Sequence, residues 1–267
     1  MVNAKWVNKI DGLVKEGNLK IALQELENIF KLKPFNKIAL KKKAEIYYMQ
    51  NNLQESLETY EDLISYYKSK EEPLRQFELL KNIGKIYGLL NNSKKAIENY
   101  NNALEKFNSL EKEIQKEFLE EKIFLLYDLA AFYSKLNQYT EALKFYEDLF
   151  QIHSKYGALE GIADDLFEIA SIHYKKKDYD KSLLNYYESL KIYNELKLPG
   201  QEGIVHYYIG KILHLQENAN EAFKHLDKAL MIFTKINLEM PFEDVEENEY
   251  YLKAKTLWDN IKNKRNI

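Results

Sequence analysis

Cysteine is absent from this chain, so a disulfide framework, a thiol nucleophile and a thiolate metal site are all excluded. Proline and glycine are scarce, 4 and 9 of 267 residues, which leaves few of the breaks that strands, tight turns and linkers need. No apolar run approaches the roughly 18 residues of a membrane span. Met1–Gly12 lacks the apolar core of a signal segment, because Trp6, Val7 and Ile10 alternate with Asn3, Lys5, Asn8 and Lys9. A cytoplasmic chain with no membrane partner is therefore expected. A strong excess of one charge is lacking too: 39 basic against 42 acidic residues leave a net charge of −3, which speaks against a general nucleic-acid-binding surface. Phosphate loop, Gly-rich dinucleotide fingerprint and paired-His motif are all missing. No cofactor, metal site or catalytic residue is assigned, and the chain reads as a non-enzyme.

What is present is repetition. Six small residues, Ala22, Ser56, Ala96, Ala142, Ser182 and Ala222, are spaced by 34, 40, 46, 40 and 40 positions. Four places after each comes a large side chain: Leu26, Tyr60, Tyr100, Tyr146, Tyr186 and Leu226. Three places further stand Ile29, Leu63, Ala103, Leu149, Ser189 and Ala229. Steps of four and three keep all three columns on one helix face.

A second face lies upstream. Twelve places before each small residue stand Ile10, Ala44, Gly84, Ala130, Ala170 and Gly210. Nine before stand Leu13, Tyr47, Tyr87, Tyr133, His173 and Leu213, and sixteen before stand Trp6, Leu40, Leu80, Leu126, Leu166 and His206. The small column allows a partner helix to approach closely. Between the two faces sit Glu16-Gly17-Asn18, Gln50-Asn51-Asn52, Asn91-Asn92-Ser93, Asn137-Gln138, Lys177-Asp178 and Glu217-Asn218, residues suited to ending one helix and starting the next. The unit is a helical hairpin, repeated as in a solenoid.

These columns resemble the tetratricopeptide repeat, whose signature runs Trp or Leu, a small residue, Tyr, Ala, an aromatic, Ala and Pro. The third unit is the fullest match, with Leu80, Gly84, Tyr87, Ala96, Tyr100 and Ala103, and the first carries Trp6, Ala22 and Pro34. The resemblance covers about residues 3–235 and implies an all-α, right-handed superhelical solenoid. Six hairpins are expected within 1–240, at 3–36, 37–72, 73–112, 113–158, 159–198 and 199–240, followed by a capping helix in 241–267. The cap would start after Met240-Pro241 with Asp244, Glu246, Glu247 and Glu249, end with Lys262, Lys264 and Arg265, and bury Tyr250, Ala254, Leu257, Trp258 and Ile261. Periods of 40 exceed the ~34 of the standard unit, and the 46-residue step is read as longer helices through Glu111–Glu121.

In the family the first helix of each hairpin lines the concave surface. By this register the exposed inner positions include Lys41, Glu45, Lys81, Asn82, Lys85, Tyr127, Asp128, Lys135, Phe167, Ser171, Tyr174, Tyr207, Lys211 and His214. Rings beside cations and amides suit a protein or peptide segment. The resemblance to repeats that clamp a C-terminal carboxylate breaks down: Lys41 and Asn82 match, but Glu45, Phe124 and Asp128 stand where an Asn and two basic residues are needed. Two alternatives share the same fold, a sensor whose superhelix changes shape on binding a peptide, and self-association through the terminal repeats. Nothing ahead of Asn3 resembles a DNA-binding helix-turn-helix, so direct control of transcription is not expected.

The remaining polar groups are read as structural. His173 and His206 fall in packing columns, and His225 falls on an outer face. Asp164-Asp165 and Glu246-Glu247 are read as solvated charge, and Lys41–Lys43 and Lys175–Lys177 as helix surface or helix ends.

Overall fold

A computed structural model describes residues 2–239 and 245–264, with side chains described for 5–236 and 249–263. The described residues form fourteen helices and no strand. They are α1 (Val2–Lys15), α2 (Leu19–Leu32), α3 (Lys37–Met49), α4 (Leu53–Lys68), α5 (Pro73–Leu89), α6 (Ser93–Asn108), α7 (Lys112–Glu117) and α8 (Leu119–Lys135). They continue as α9 (Tyr139–Tyr156), α10 (Leu159–Lys175), α11 (Tyr179–Leu196), α12 (Pro199–Leu215), α13 (Ala219–Glu239) and α14 (Val245–Lys264). Two compact units divide the chain within α8, Met1–Phe132 and Tyr133–Ile267. In the first, each of α1 to α5 packs on the next helix in sequence; in the second, each of α9 to α13 does the same, and α14 also touches α12.

The reason is visible in the columns. All six small residues, from Ala22 to Ala222, are 0% exposed. The large column four places on is buried throughout, and each such side chain contributes about 1.5–3 kcal/mol relative to exposure. Where the small residue is serine, its hydroxyl is used. Ser56 Oγ donates to the Ala44 carbonyl and Ser182 Oγ to the Ala170 carbonyl, both at 2.8 Å, tying together the two small columns of one hairpin. Where the first-helix column is glycine, the second helix occupies the missing methyl's place: a Cβ on Gly84 would lie 2.6 Å from the Tyr100 ring.

The turns obey one rule. Gly17, Asn51, Asn91, Asn137, Lys177 and Glu217 all adopt positive φ, between 57° and 75°. The next amide reaches back to the carbonyl of Leu13, Tyr47, Tyr87, Tyr133, His173 or Leu213, at 2.8–3.0 Å. Each first helix thus ends in the same left-handed cap.

Three expectations are corrected. The residues at Glu111–Glu121 do not lengthen their neighbours: α6 and α8 span 16 and 17 residues, and the extra segment forms the separate six-residue α7. Phe118, with φ −102° and ψ 25°, breaks the helix between α7 and α8, so Ile114, Phe118 and Leu119 do not share one continuous helix. Asp165 is not solvated: it is 0% exposed and meets His153 Nδ1 at 2.6 Å, joining α10 to α9, while Asp164 accepts from Tyr193 Oη at 2.6 Å. His225 is not on an open face, since its Nδ1 lies 2.9 Å from Nδ1 of buried His206 and its Nε2 lies 3.3 Å from Tyr187 Oη.

Lys41–Lys43 lie partly exposed on α3, and each is ion-paired to another helix. Lys41 pairs with Glu78 at 3.4 Å, Lys42 with Asp11 at 2.7 Å and Lys43 with Glu27 at 2.9 Å. In α14, Ala254 and Ile261 are buried and Tyr250, Leu257 and Trp258 pack against the core of the second unit. Asp244 and Arg265 lie outside the described residues, as do the side chains of Glu246, Glu247 and Lys264.

Candidate functional site

In the first unit, α5 supplies Lys81, Asn82 and Lys85 from one face, because positions 81 and 85 are one turn apart. With Asp128, Phe124, Glu121 and Tyr100 they line a cavity of about 330 Å³. Lys81 is half-buried, its ammonium 5.5 Å from the Phe77 ring centre, and Lys85 is exposed with its ammonium 5.2 Å from the Tyr48 ring. Burial pulls the Lys81 pKa down, and nearby Lys41 and Lys85 add to this against the opposing pull of Glu121 and Glu78. Asn82 Nδ2 lies 3.4 Å from Tyr60 Oη, and Asp128 accepts a 2.5 Å bond from Tyr100 Oη. Tyr127 is half-buried and lies outside that lining. Lys41 and Glu45 line a separate cavity of about 440 Å³ with Arg75 and Glu78. Phe124, 68% exposed beside two lysines, is the residue that column arithmetic did not single out as a contact.

In the second unit, α10 and α12 build an aromatic wall. Phe167 is half-buried, edge-on to Tyr186 at 5.3 Å and to Tyr208 at 5.7 Å, and Tyr208 stacks on Tyr186 at 5.5 Å. Lys211 projects across it, its ammonium 5.0, 5.7 and 5.9 Å from the ring centres of Tyr174, Tyr207 and Tyr208. Burial alone would lower the Lys211 pKa, but Tyr174 and Tyr207 outweigh it and the net shift is upward, so the side chain is a cation at neutral pH. Ser171 and His214 are half-buried. Lys135 has no place in either lining described so far.

Tyr207 is a correction. It is 6% exposed, not open to a partner, because the Tyr250 ring of α14 covers it at 5.7 Å. Tyr250 Oη also meets Tyr208 Oη at 3.1 Å. Neither contact was legible, since α14 lies outside the repeat register. Among the described residues no group of three or more His, Asp or Glu converges as a metal site, and no helix is long and apolar enough to cross a membrane.

Tetratricopeptide-repeat family models match residues 7–69, 78–105 and 122–195. Among curated proteins, none matches in sequence. Several solved structures are similar in fold. The apo form of RapI has a TM-score of 0.64 at 16% identity, covering 85% of both chains. The apo form of the quorum sensor NprR from B. thuringiensis has a TM-score of 0.60 at 20% identity, covering 96% of this chain and 69% of that one. YrrB, described as a TPR protein with an unusual peptide-binding site, has a TM-score of 0.56 at 18% identity, covering 86% and 97%.

Proposed function

The chain belongs to the tetratricopeptide repeat family, and from that premise we propose that it is a non-enzymatic scaffold whose first helices hold a protein or peptide segment. The supporting observation is the kind of side chain those helices present. α5 offers Lys81, Asn82 and Lys85 around a cavity with exposed Phe124, and α10 and α12 offer Tyr174, Lys211 and His214. Ring faces can stack on a partner, the Asn82 amide can bond a peptide backbone, and the lysines can meet carboxylates. The C-terminal end of each first helix is closed by its own left-handed cap. A scaffold of this kind spreads binding over several modest contacts rather than one deep pocket. YrrB, a fold relative, is described as having a peptide-binding site, which agrees with this reading.

The test is affinity capture from lysate of the source organism, comparing wild type with a Lys81→Glu, Lys85→Glu, Tyr174→Ala, Lys211→Glu variant of unchanged circular dichroism. A partner lost from the variant supports first-helix binding. A partner captured equally by both moves the binding surface elsewhere.

A further inference from the structure

The helix expected only to cap the array leaves an open trough against its neighbour. Between α12 and α14 lies a cavity of about 480 Å³, within the roughly 300–1,000 Å³ of ligand clefts. Leu215 on α12 and Leu252 on α14, 49% and 57% exposed, line it, with Leu257 and Thr256 also in the lining. Exposed leucines on two elements that share one trough are an unfilled apolar contact.

The charges in the trough are unequal. Lys253 is already paired with Glu249 at 2.5 Å, and Glu249 is the lining's carboxylate. Lys211 has no ion pair among the described residues; its ammonium rests on tyrosine rings. One uncompensated cation therefore stands beside an apolar strip. A basic ligand would place like charges together, and a purely apolar one would cover the Lys211 cation without a counter-ion, which is costly.

Lys211 and Leu215 are one turn apart on α12, about 6 Å along its axis at 1.5 Å per residue. In an extended peptide, residues i and i+2 face the same side and are about 6.6 Å apart at 3.3 Å per residue. We infer that the α12–α14 trough is a docking site for an extended peptide segment in which an acidic residue and a leucine-like residue are separated by one position, the carboxylate on Lys211 and the apolar side chain between Leu215 and Leu252. This rests on the peptide-binding reading and adds the ligand's chemistry and place.

The experiment is selection from a displayed library of random 12-residue peptides against the whole chain, then fluorescence anisotropy of the enriched peptide on variants. Enrichment of acidic-x-apolar sequences is expected. Affinity should fall about tenfold or more for Lys211→Glu, in line with loss of a charge-assisted bond, and also for Leu252→Ser, a change at a position 57% exposed, each variant first checked for unchanged circular dichroism. Lys211→Gln should weaken binding less and remove its salt dependence. Enriched peptides that bind Lys211→Glu and Leu252→Ser as well as wild type, but fail on Lys85→Glu, would overturn this site and leave peptide binding standing. Enrichment of basic or uncharged sequences would overturn the acidic chemistry. No enrichment at all would overturn both readings.

Discussion

The same substitution, Gly to Ala, should act with opposite sign at two places in this chain. Both Gly12 and Gly84 are helical, and replacing a helical glycine with alanine gains about 0.8–1 kcal/mol from backbone entropy and solvation. At Gly12 a Cβ meets nothing within 4 Å, so the full gain is expected. At Gly84 the new Cβ lies 2.6 Å from Cδ1 and 2.7 Å from Cε1 of Tyr100. That ring cannot swing away freely: it is 1% exposed, and its hydroxyl is held by Asp128 at 2.5 Å. Overpacking of this kind costs about 1–3 kcal/mol, so Gly84→Ala should destabilise by about 1 kcal/mol net.

The chain itself carries Ala44, Ala130 and Ala170 in the same column, so the penalty reflects the nearness of Tyr100 and not the column. Urea unfolding followed by far-ultraviolet circular dichroism would measure both variants. For a chain of this size 1 kcal/mol moves a thermal midpoint by about 2–4 °C. In a Tyr100→Ala background, Gly84→Ala should change sign and stabilise. If Gly84→Ala stabilises as much as Gly12→Ala in the wild-type background, close packing of the small column on the large one is wrong.

Other outcomes follow from particular groups. Lys177 and Glu217 hold φ of 62° and 63° without the glycine or asparagine that suits this region, so Lys177→Gly and Glu217→Gly should each raise stability by about 0.5–1 kcal/mol, read from the urea midpoint. Ser182→Ala removes a buried hydroxyl bond to the Ala170 carbonyl and should cost about 1 kcal/mol, no more, because Ala already fits this column at Ala22, Ala96, Ala142 and Ala222; a cost of 3 kcal/mol or above would show a cavity that the packing does not contain. His206 has its pKa lowered from 6.5 to about 4, first by burial and then by the charges of His225 and Lys228. Below pH 6.5 the unfolded chain takes up a proton that the folded chain refuses until about pH 4, so stability is lost as pH falls through that window, by at most about 3 kcal/mol. His206→Leu should flatten the loss between pH 7 and 4, and an unchanged slope would contradict it.

Much of the fold was legible because it rests on small periodic choices. Ala22 to Ala222 mark the helix contacts, and Asn51, Asn91 and Asn137 mark the caps, all from residue type and spacing alone. Local punctuation was harder. Nothing in the apolar spacing of Ile114, Phe118 and Leu119 disclosed that Phe118 leaves helical geometry and isolates α7. Asp165 looked like surface charge because its partner, His153, is twelve residues away on another helix. The candidate site was legible only in part for the same reason. Lys81, Asn82, Lys85 and Asp128 fall together because one register places them. Tyr207 was misjudged because Tyr250 arrives from α14, whose docking no repeat column encodes.

Hydrogen exchange of the whole chain, with and without a selected peptide, would locate binding on helices instead of single residues. Slowed exchange over α10, α12 and α14, with α9, α11 and α13 unchanged, is the expected pattern if first helices hold the partner and the α12–α14 trough receives its acidic segment. Protection confined to α9, α11 and α13 would contradict it and place the partner on the second helices.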